Sequence, residues 1–191
     1  MEAIRAGMQA CNQPASTESL FYNGYDLVEY FMRDANAKMV AYMNELATKE
    51  NLQGTALLLD GLKYRLKLVI PYASTWEQAL AQKGLPPNAK RAWRSLLDLA
   101  SDAWFSIGDT STDIKWYTKR LSIATIYRSA EIYMLQDKSP DKINTMHFLE
   151  RHLGDYEATG VVRPSMSQSL SDTAQVASGL LTVVRTMTTR R

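Results

Sequence analysis

A catalytic site in this sequence would have to draw on His147, His152, Cys11 or the carboxylates. These are the side chains that pass protons near neutral pH, attack an electrophile or hold a metal. The histidines stand five residues apart in one predicted helix, a spacing that puts them on different faces. Neither lies three residues after a glutamate, so the Glu-x-x-His pattern of carboxylate di-iron bundles is missing. Cys11 is the single cysteine, which excludes an intramolecular disulfide framework and a cysteine zinc site. Nothing near it marks it as reactive, and it is expected to be buried or half-buried. The sequence has no Gly-x-Ser-x-Gly elbow, no phosphate-cradling glycine loop and no dinucleotide fingerprint. The expectation is a non-enzyme with no catalytic residue, metal or cofactor, whose histidines are surface or partly buried helix positions.

The elements that would position any site are helical. The chain has 191 residues, 46% hydrophobic and 22% charged, as in a globular domain. Gly and Pro together number only 15, and apolar residues recur at helical spacing almost throughout. A short helix fits residues 2–11, with a break at Pro14. Leu27, Phe31, Ala35, Met39, Met43 and Leu46 mark one face of a long helix over 25–50. Leu58, Leu62, Leu66 and Val69 mark another over 53–70, which Pro71 stops. Ser74 and Glu77 fit a capping box before a short helix carrying Trp76 and Leu80. After a Gly84–Pro87 loop, the helix over 88–107 aligns Trp93, Leu96, Leu97, Ala100, Trp104 and Ile107. The helix over 113–136 is apolar around most of its circumference, the pattern of a central helix. Ser139-Pro140-Asp141 reads as an N-cap, a proline and an acid at a helix start. That helix carries Ile143, Met146, Leu149, Leu153 and Tyr156 and ends near Gly160. A last helix begins at Ser165. The fold class is all-α, with about nine helices.

Net charge is +2 overall, but it is −3 over residues 1–32, +2 over 33–160 and +3 over 161–191. This split bears on the N-terminus. Ser19–Val28 resembles the end of the helix-turn-helix in tetracycline-repressor-like regulators, where an aromatic pair precedes a turn and a long helix. Only about 24 residues precede that helix here, roughly half of a three-helix DNA-binding unit. DNA affinity is dominated by phosphate neutralisation, and Arg5 is the one cation in the first 32 residues. The segment is therefore expected to be a remnant that packs on the body, and no nucleic-acid partner is expected. A transcriptional regulator sensing a hydrophobic effector is the alternative function.

The most distinctive stretch is Gly108-Asp109-Thr110-Ser111-Thr112-Asp113-Ile114-Lys115-Trp116-Tyr117-Thr118-Lys119-Arg120. Around it lie Ile70-Pro71-Tyr72, Trp76 with Ala79-Leu80, and Gln136–Asp141. Together these resemble the accessory lipid-binding protein family of coenzyme Q (ubiquinone) biosynthesis, the ninth member of that assembly set. The resemblance runs from about Glu2 to Glu157. It implies a tetracycline-repressor-like helical bundle with a C-terminal amphipathic helix, no enzymatic activity, and homodimerisation. It implies a place on the matrix side of the mitochondrial inner membrane as a peripheral protein. The implied ligands are an isoprenoid lipid or quinone precursor and phospholipid. The implied partner is the demethoxyubiquinone hydroxylase, to which the family presents a membrane-embedded substrate. Family members have a fuller N-terminal region, so on this reading the chain looks truncated there. Three regions follow: a remnant (1–24), a lipid-binding body (25–160), and a linker with a membrane-binding helix (161–191).

Carried onto this chain, the partner surface falls on Asp113, Trp116, Tyr117 and Arg120. Trp, Tyr and Arg are common interface anchors, and these positions follow at i, i+3 or i+4, and i+7. Adjacent aromatics point about 100° apart on a helix, so at most one of Trp116 and Tyr117 can be fully inward. Asp113 alternatively caps its helix. The lipid site is expected between helices, with Leu66, Ile70, Leu97, Trp104, Tyr127 and Met134 as candidates. A filled core has the same pattern.

In the tail, Met166, Leu170, Ala177, Leu180, Leu181, Val184 and Met187 mark one face, and Ser165 with Gln168 fits a capping box. Ten Ser and Thr lie between Ser165 and Thr189, mostly on the other face. An apolar stripe with excess arginine suits an interfacial helix on anionic lipid. The expected contacts are Leu170, Leu180, Leu181, Val184, Met187 and Arg185; docking on the body or on a dimer mate is the alternative. Lys83, Lys90, Arg91 and Arg94 around Trp93 read as an ordinary solvated face, with membrane docking as their functional alternative.

Overall fold

A computed structural model describes residues 1–112 and 114–159. Within them lie seven α-helices: α1 (Glu2–Ala10), α2 (Tyr25–Lys49), α3 (Gly54–Lys67), α4 (Trp76–Gly84), α5 (Pro86–Ser106), α6 (Ile114–Gln136) and α7 (Ile143–Thr159). Three short 3₁₀ turns interrupt them at Ala15–Leu20, Ile70–Tyr72 and Pro140–Lys142. The described residues contain no strand, so the fold is all-α. Five helices close a ring: α2 packs on α3, α3 on α7, α7 on α6, α6 on α5, and α5 on α2. The apolar core fills that ring, and α4 lies against α2 and α5. None of these helices is long and apolar enough to cross a membrane.

Helix faces follow the expected period where large aliphatics set it. Leu58, Leu62, Leu66 and Val69 are all buried, as are Met39, Met43 and Leu46. Leu27 departs from its stripe and is 38% exposed. The buried line of α5 also differs, running through Ser95, Leu99, Ala100 and Ala103, while Trp93 is half exposed. Three of these four side chains are small, so bulk is a poor guide to that face.

Helix starts were harder to place. Thr75, not Ser74, precedes α4, and its hydroxyl donates to the Tyr72 carbonyl rather than capping. Pro86 and Pro87 belong to the first turn of α5, where the missing N–H costs nothing. At α2, Asn23 Oδ1 accepts the Tyr25 N–H while Asp26 Oδ2 accepts the Asn23 N–H, a reciprocal cap. Near α7, the carboxylate of Asp137 accepts the N–H of Ser139 and of Thr145, both at 2.8 Å. Ser139 contributes its hydroxyl to the Asn144 N–H. Cys11, expected at least half-buried, is exposed, because it lies beyond the last turn of α1, where little packs over it. The regions beginning at 161, including the capping box at Ser165, lie outside the described residues.

Gly61 marks the tightest approach. A Cβ there would sit 2.4 Å from Sδ of Met43, itself wholly buried. Gly61→Ala is expected to destabilise by about 1–2 kcal/mol, overpacking outweighing the helix propensity gained. Urea denaturation checks this, and a gain in stability would contradict the close packing of α2 on α3.

Candidate functional site

The motif between α5 and α6 is built around one carboxylate. Gly108 has φ +80, which turns the chain at the end of α5 and is suited to glycine. Asp109 follows with its side chain 5% exposed. It accepts from Lys119 Nζ at 2.5 Å, Ser111 Oγ at 2.8 Å and Arg120 Nη1 at 3.3 Å. Burial alone would raise its pKa, but the hydrogen bonds from Lys119 and Ser111 hold it below the ordinary value. The cations also stack: Arg120 lies 4.0 Å from the Trp116 ring centre, and Lys119 5.0 Å from that of Trp104. Trp104 Nε1 donates to the Lys119 carbonyl at 2.9 Å. Turn, helix start and α5 are thus locked together.

What that lock presents is apolar. Ile114, Tyr117 and Leu121 are 80%, 64% and 43% exposed. They follow at i, i+3 and i+7, one face of the first two turns of α6. Phe105, near the end of α5, is 78% exposed. Large apolar groups clustered on a surface mark a contact site more often than scattered ones do.

A second polar cluster is buried between α2, α4, α5 and α6. Glu131 is wholly enclosed and accepts from Lys83 Nζ (2.9 Å), Trp76 Nε1 (2.9 Å) and Arg128 Nη1 (2.8 Å). Burial alone would raise its pKa, but the charges of Lys83 and Arg128 pull it down to about 2. Burial pushes the Lys83 ammonium down to about 8 despite Glu131. Nearby, Arg65 is fully buried, donating to Asn36 Oδ1 at 2.6 Å and to the Tyr127 hydroxyl. A cavity of about 190 Å³ adjoins the Glu131 cluster, with Tyr25, Met32, Ser95, Leu96 and Trp93 on its other walls. Among the described residues no three His, Cys, Asp or Glu side chains converge as metal ligands.

Residues 89–160 match the family model described as COQ9. The chain is 33% identical over 187 residues to "Ubiquinone biosynthesis protein COQ9, mitochondrial" of Xenopus tropicalis, covering 94% of this chain and 58% of that protein. It is 34% identical over 187 residues to the COQ9-B protein of Xenopus laevis, covering 94% and 63%. It is 34% identical over 161 residues to the human COQ9 protein, covering 81% and 51%. The chain belongs to the COQ9 family. It spans between 51% and 63% of the length of these relatives.

The COQ9 match takes in nearly all of α5, together with α6 and α7, so it contains the Asp109 lock and the exposed stripe. Of the expected partner-surface residues, Tyr117 points outward, Trp116 is half-buried, and Arg120 is 6% exposed and lies against the Trp116 ring. Asp113 lies outside the described residues. Ile114, Leu121 and Phe105 were not singled out from sequence, although the i, i+3, i+7 spacing of Ile114, Tyr117 and Leu121 was there to be read. All six lipid candidates come together around one core: Leu66, Tyr127 and Met134 inside it, and Ile70, Leu97 and Trp104 partly buried against it. None of the six lines the 190 Å³ cavity. Leu66 and Ile70 precede the COQ9 match. The membrane-contact residues Leu170, Leu180, Leu181, Val184, Arg185 and Met187 lie outside the described residues.

The basic cluster requires a correction. Lys83 is 8% exposed and bound to Glu131, and Arg91 pairs with Asp26 and Glu29 across the α2–α5 contact. Their neutralising carboxylates lie far away along the chain, so a count of local charge could not place them. His147 is exposed and His152 half-buried, its ring against Phe148 and its pKa lowered by burial.

Proposed function

We propose that this chain is a non-enzymatic, lipid-binding accessory protein of ubiquinone biosynthesis. It works on the matrix side of the mitochondrial inner membrane and presents an isoprenoid quinone precursor to the demethoxyubiquinone hydroxylase. The observation that carries this reading is the exposed Ile114–Tyr117–Leu121 face, held rigid over the Asp109 lock, within the segment that matches the COQ9 family. The names of the relatives, ubiquinone biosynthesis proteins of mitochondria, support the pathway and the compartment. A rigid apolar face needs little ordering on binding, which favours a protein partner. Lipid is received among the apolar side chains around Leu66, Ile70, Leu97, Trp104, Tyr127 and Met134. A homodimer with a tetracycline-repressor-like helical arrangement completes the reading.

The tail brings the protein to the membrane. Residues 161–191 carry four arginines against Asp172 alone. Each arginine near an anionic surface contributes about 1 kcal/mol. Replacing Arg190 and Arg191 together by Gln is therefore expected to weaken binding to anionic vesicles about 30-fold, by roughly 2 kcal/mol. Vesicle co-sedimentation at fixed salt measures this. Binding to neutral vesicles that equals binding to anionic ones would rule out the electrostatic part of the attachment.

A further inference from the structure

Ile114, Tyr117 and Leu121 stay exposed on α6 with every described residue in place. Apolar area left in water favours whatever can cover it.

The chain carries a cover that starts nearby. The short turn at Pro140–Lys142 joins α6 to α7, and the two helices pack on each other. The last turns of α7 therefore return to the level of the first turns of α6. Two contacts fix that level. The Tyr156 ring lies 6.5 Å from the Trp104 ring, and Trp104 Nε1 donates to the Lys119 carbonyl at 2.9 Å. Tyr156, one turn before the end of α7, is thus one side chain away from the backbone between Tyr117 and Leu121. Residues 160–164 separate Thr159 from Ser165, and five extended residues reach about 17 Å. The stretch 165–189 begins within reach of the exposed face.

That stretch is of matching character. Leu170, Ala177, Leu180, Leu181, Val184 and Met187 recur at helical spacing. Wound as a helix, the series from Leu170 to Met187 extends about 25 Å, against about 10 Å from Ile114 to Leu121. Two apolar surfaces tethered on one chain meet at high effective concentration, which favours the tail over a second copy.

We propose that residues 165–189 lie across the Ile114–Tyr117–Leu121 face when no membrane is present, and leave it for an anionic lipid surface. The arginines decide the exchange. Asp109, the carboxylate of the lock, is 5% exposed and already accepts from Lys119 and Arg120, so it offers the tail nothing. Anionic lipid supplies Arg185, Arg190 and Arg191 with opposite charge and takes the same apolar stripe. Such a difference in affinity is what moves one segment between two positions. On the reading of this face as a partner surface, uncovering it at the membrane confines docking to where the substrate is. The tail contact itself stands without that reading.

The photo-cross-linking residue p-benzoylphenylalanine, placed at position 117 of the full chain, tests the contact. After irradiation without vesicles, mass spectrometry of the digest is expected to find most cross-links in residues 165–189 of the same chain. The same probe at position 30, where Tyr30 is 73% exposed on α2, should give at least fivefold fewer. Phosphatidylserine-containing vesicles should cut the position-117 cross-links at least fivefold, and neutral vesicles less than twofold. Leu180→Asp with Leu181→Asp should remove them without any vesicles. The proposal is overturned if cross-links to 165–189 are no commoner from position 117 than from position 30, or survive that double substitution. It is overturned equally if they fall no further on anionic than on neutral vesicles, or if mixed light and heavy-isotope chains show them joining two copies. No hydroxylase enters the experiment, so its result is independent of whether that enzyme docks on this face.

Discussion

Glu131→Ala is expected to cost the fold about 3–5 kcal/mol, the range for breaking a buried ion pair by removing one partner. The substitution leaves Lys83 and Arg65 as buried cations, strands the Trp76 indole N–H, and removes the partner of Arg128. Equilibrium urea denaturation measures the loss. A double substitution, Lys83→Met with Glu131→Leu, removes both charges and should recover much of it, because apolar replacement of a whole buried pair is often close to neutral. The pH dependence carries the same signature. Glu131 titrates near 2 in the fold against an ordinary 4.5, so the unfolded chain takes up its proton first as pH falls. Its contribution is present above pH 4.5 and is lost as pH drops from 4.5 toward 2. Glu131→Gln should flatten that part of the stability curve. A loss below 1 kcal/mol in Glu131→Ala would mean that Lys83 and Arg128 reach water when Glu131 is absent.

The second large effect concerns binding. Tyr117→Ala should weaken association with the hydroxylase by about 2 kcal/mol, or roughly 30-fold, the size of an aromatic hot spot. The side chain is 64% exposed, so the fold should change by less than about 0.5 kcal/mol. Ile114→Ser and Leu121→Ser should weaken association in the same direction. Arg120→Ala should do the reverse, losing stability first, because its buried guanidinium joins Asp109, Ser101 and the Trp116 ring. Calorimetry of binding and thermal melting of each variant separate the two roles. If Tyr117→Ala melts like Arg120→Ala, or binds like the parent, the exposed stripe is not the partner surface.

Much of the helical frame was legible because large aliphatic residues repeat at a fixed period. Leu58, Leu62, Leu66 and Val69 needed no tertiary information to be placed inward. On α5, Ala100 is buried and Leu96, Leu97, Trp104 and Ile107 pack against the core as expected, but Trp93 is half exposed and Ser95 and Ala103 are buried unforeseen, because their small size gives little hydrophobic signal. Charge was legible only in sum. Lys83 sits beside Lys90, Arg91 and Arg94 along the chain, yet its partner, Glu131, is 48 residues away. The partners of Arg65, Asn36 and Tyr127, are 29 and 62 residues away. No periodicity encodes such pairs. The motif from Gly108 to Arg120 was recognisable as a string, but its exposed face was not, because Asp109 turns Arg120 inward and leaves Ile114 and Leu121 to join Tyr117 outside.

The role proposed for this chain is to carry lipid for quinone synthesis. Its most direct test is mass spectrometry of a lipid extract from the purified full chain. A reproducible isoprenoid or quinone species is expected, enriched over an unrelated helical protein purified in parallel. An extract consistently free of bound lipid, together with no binding to vesicles, would contradict it.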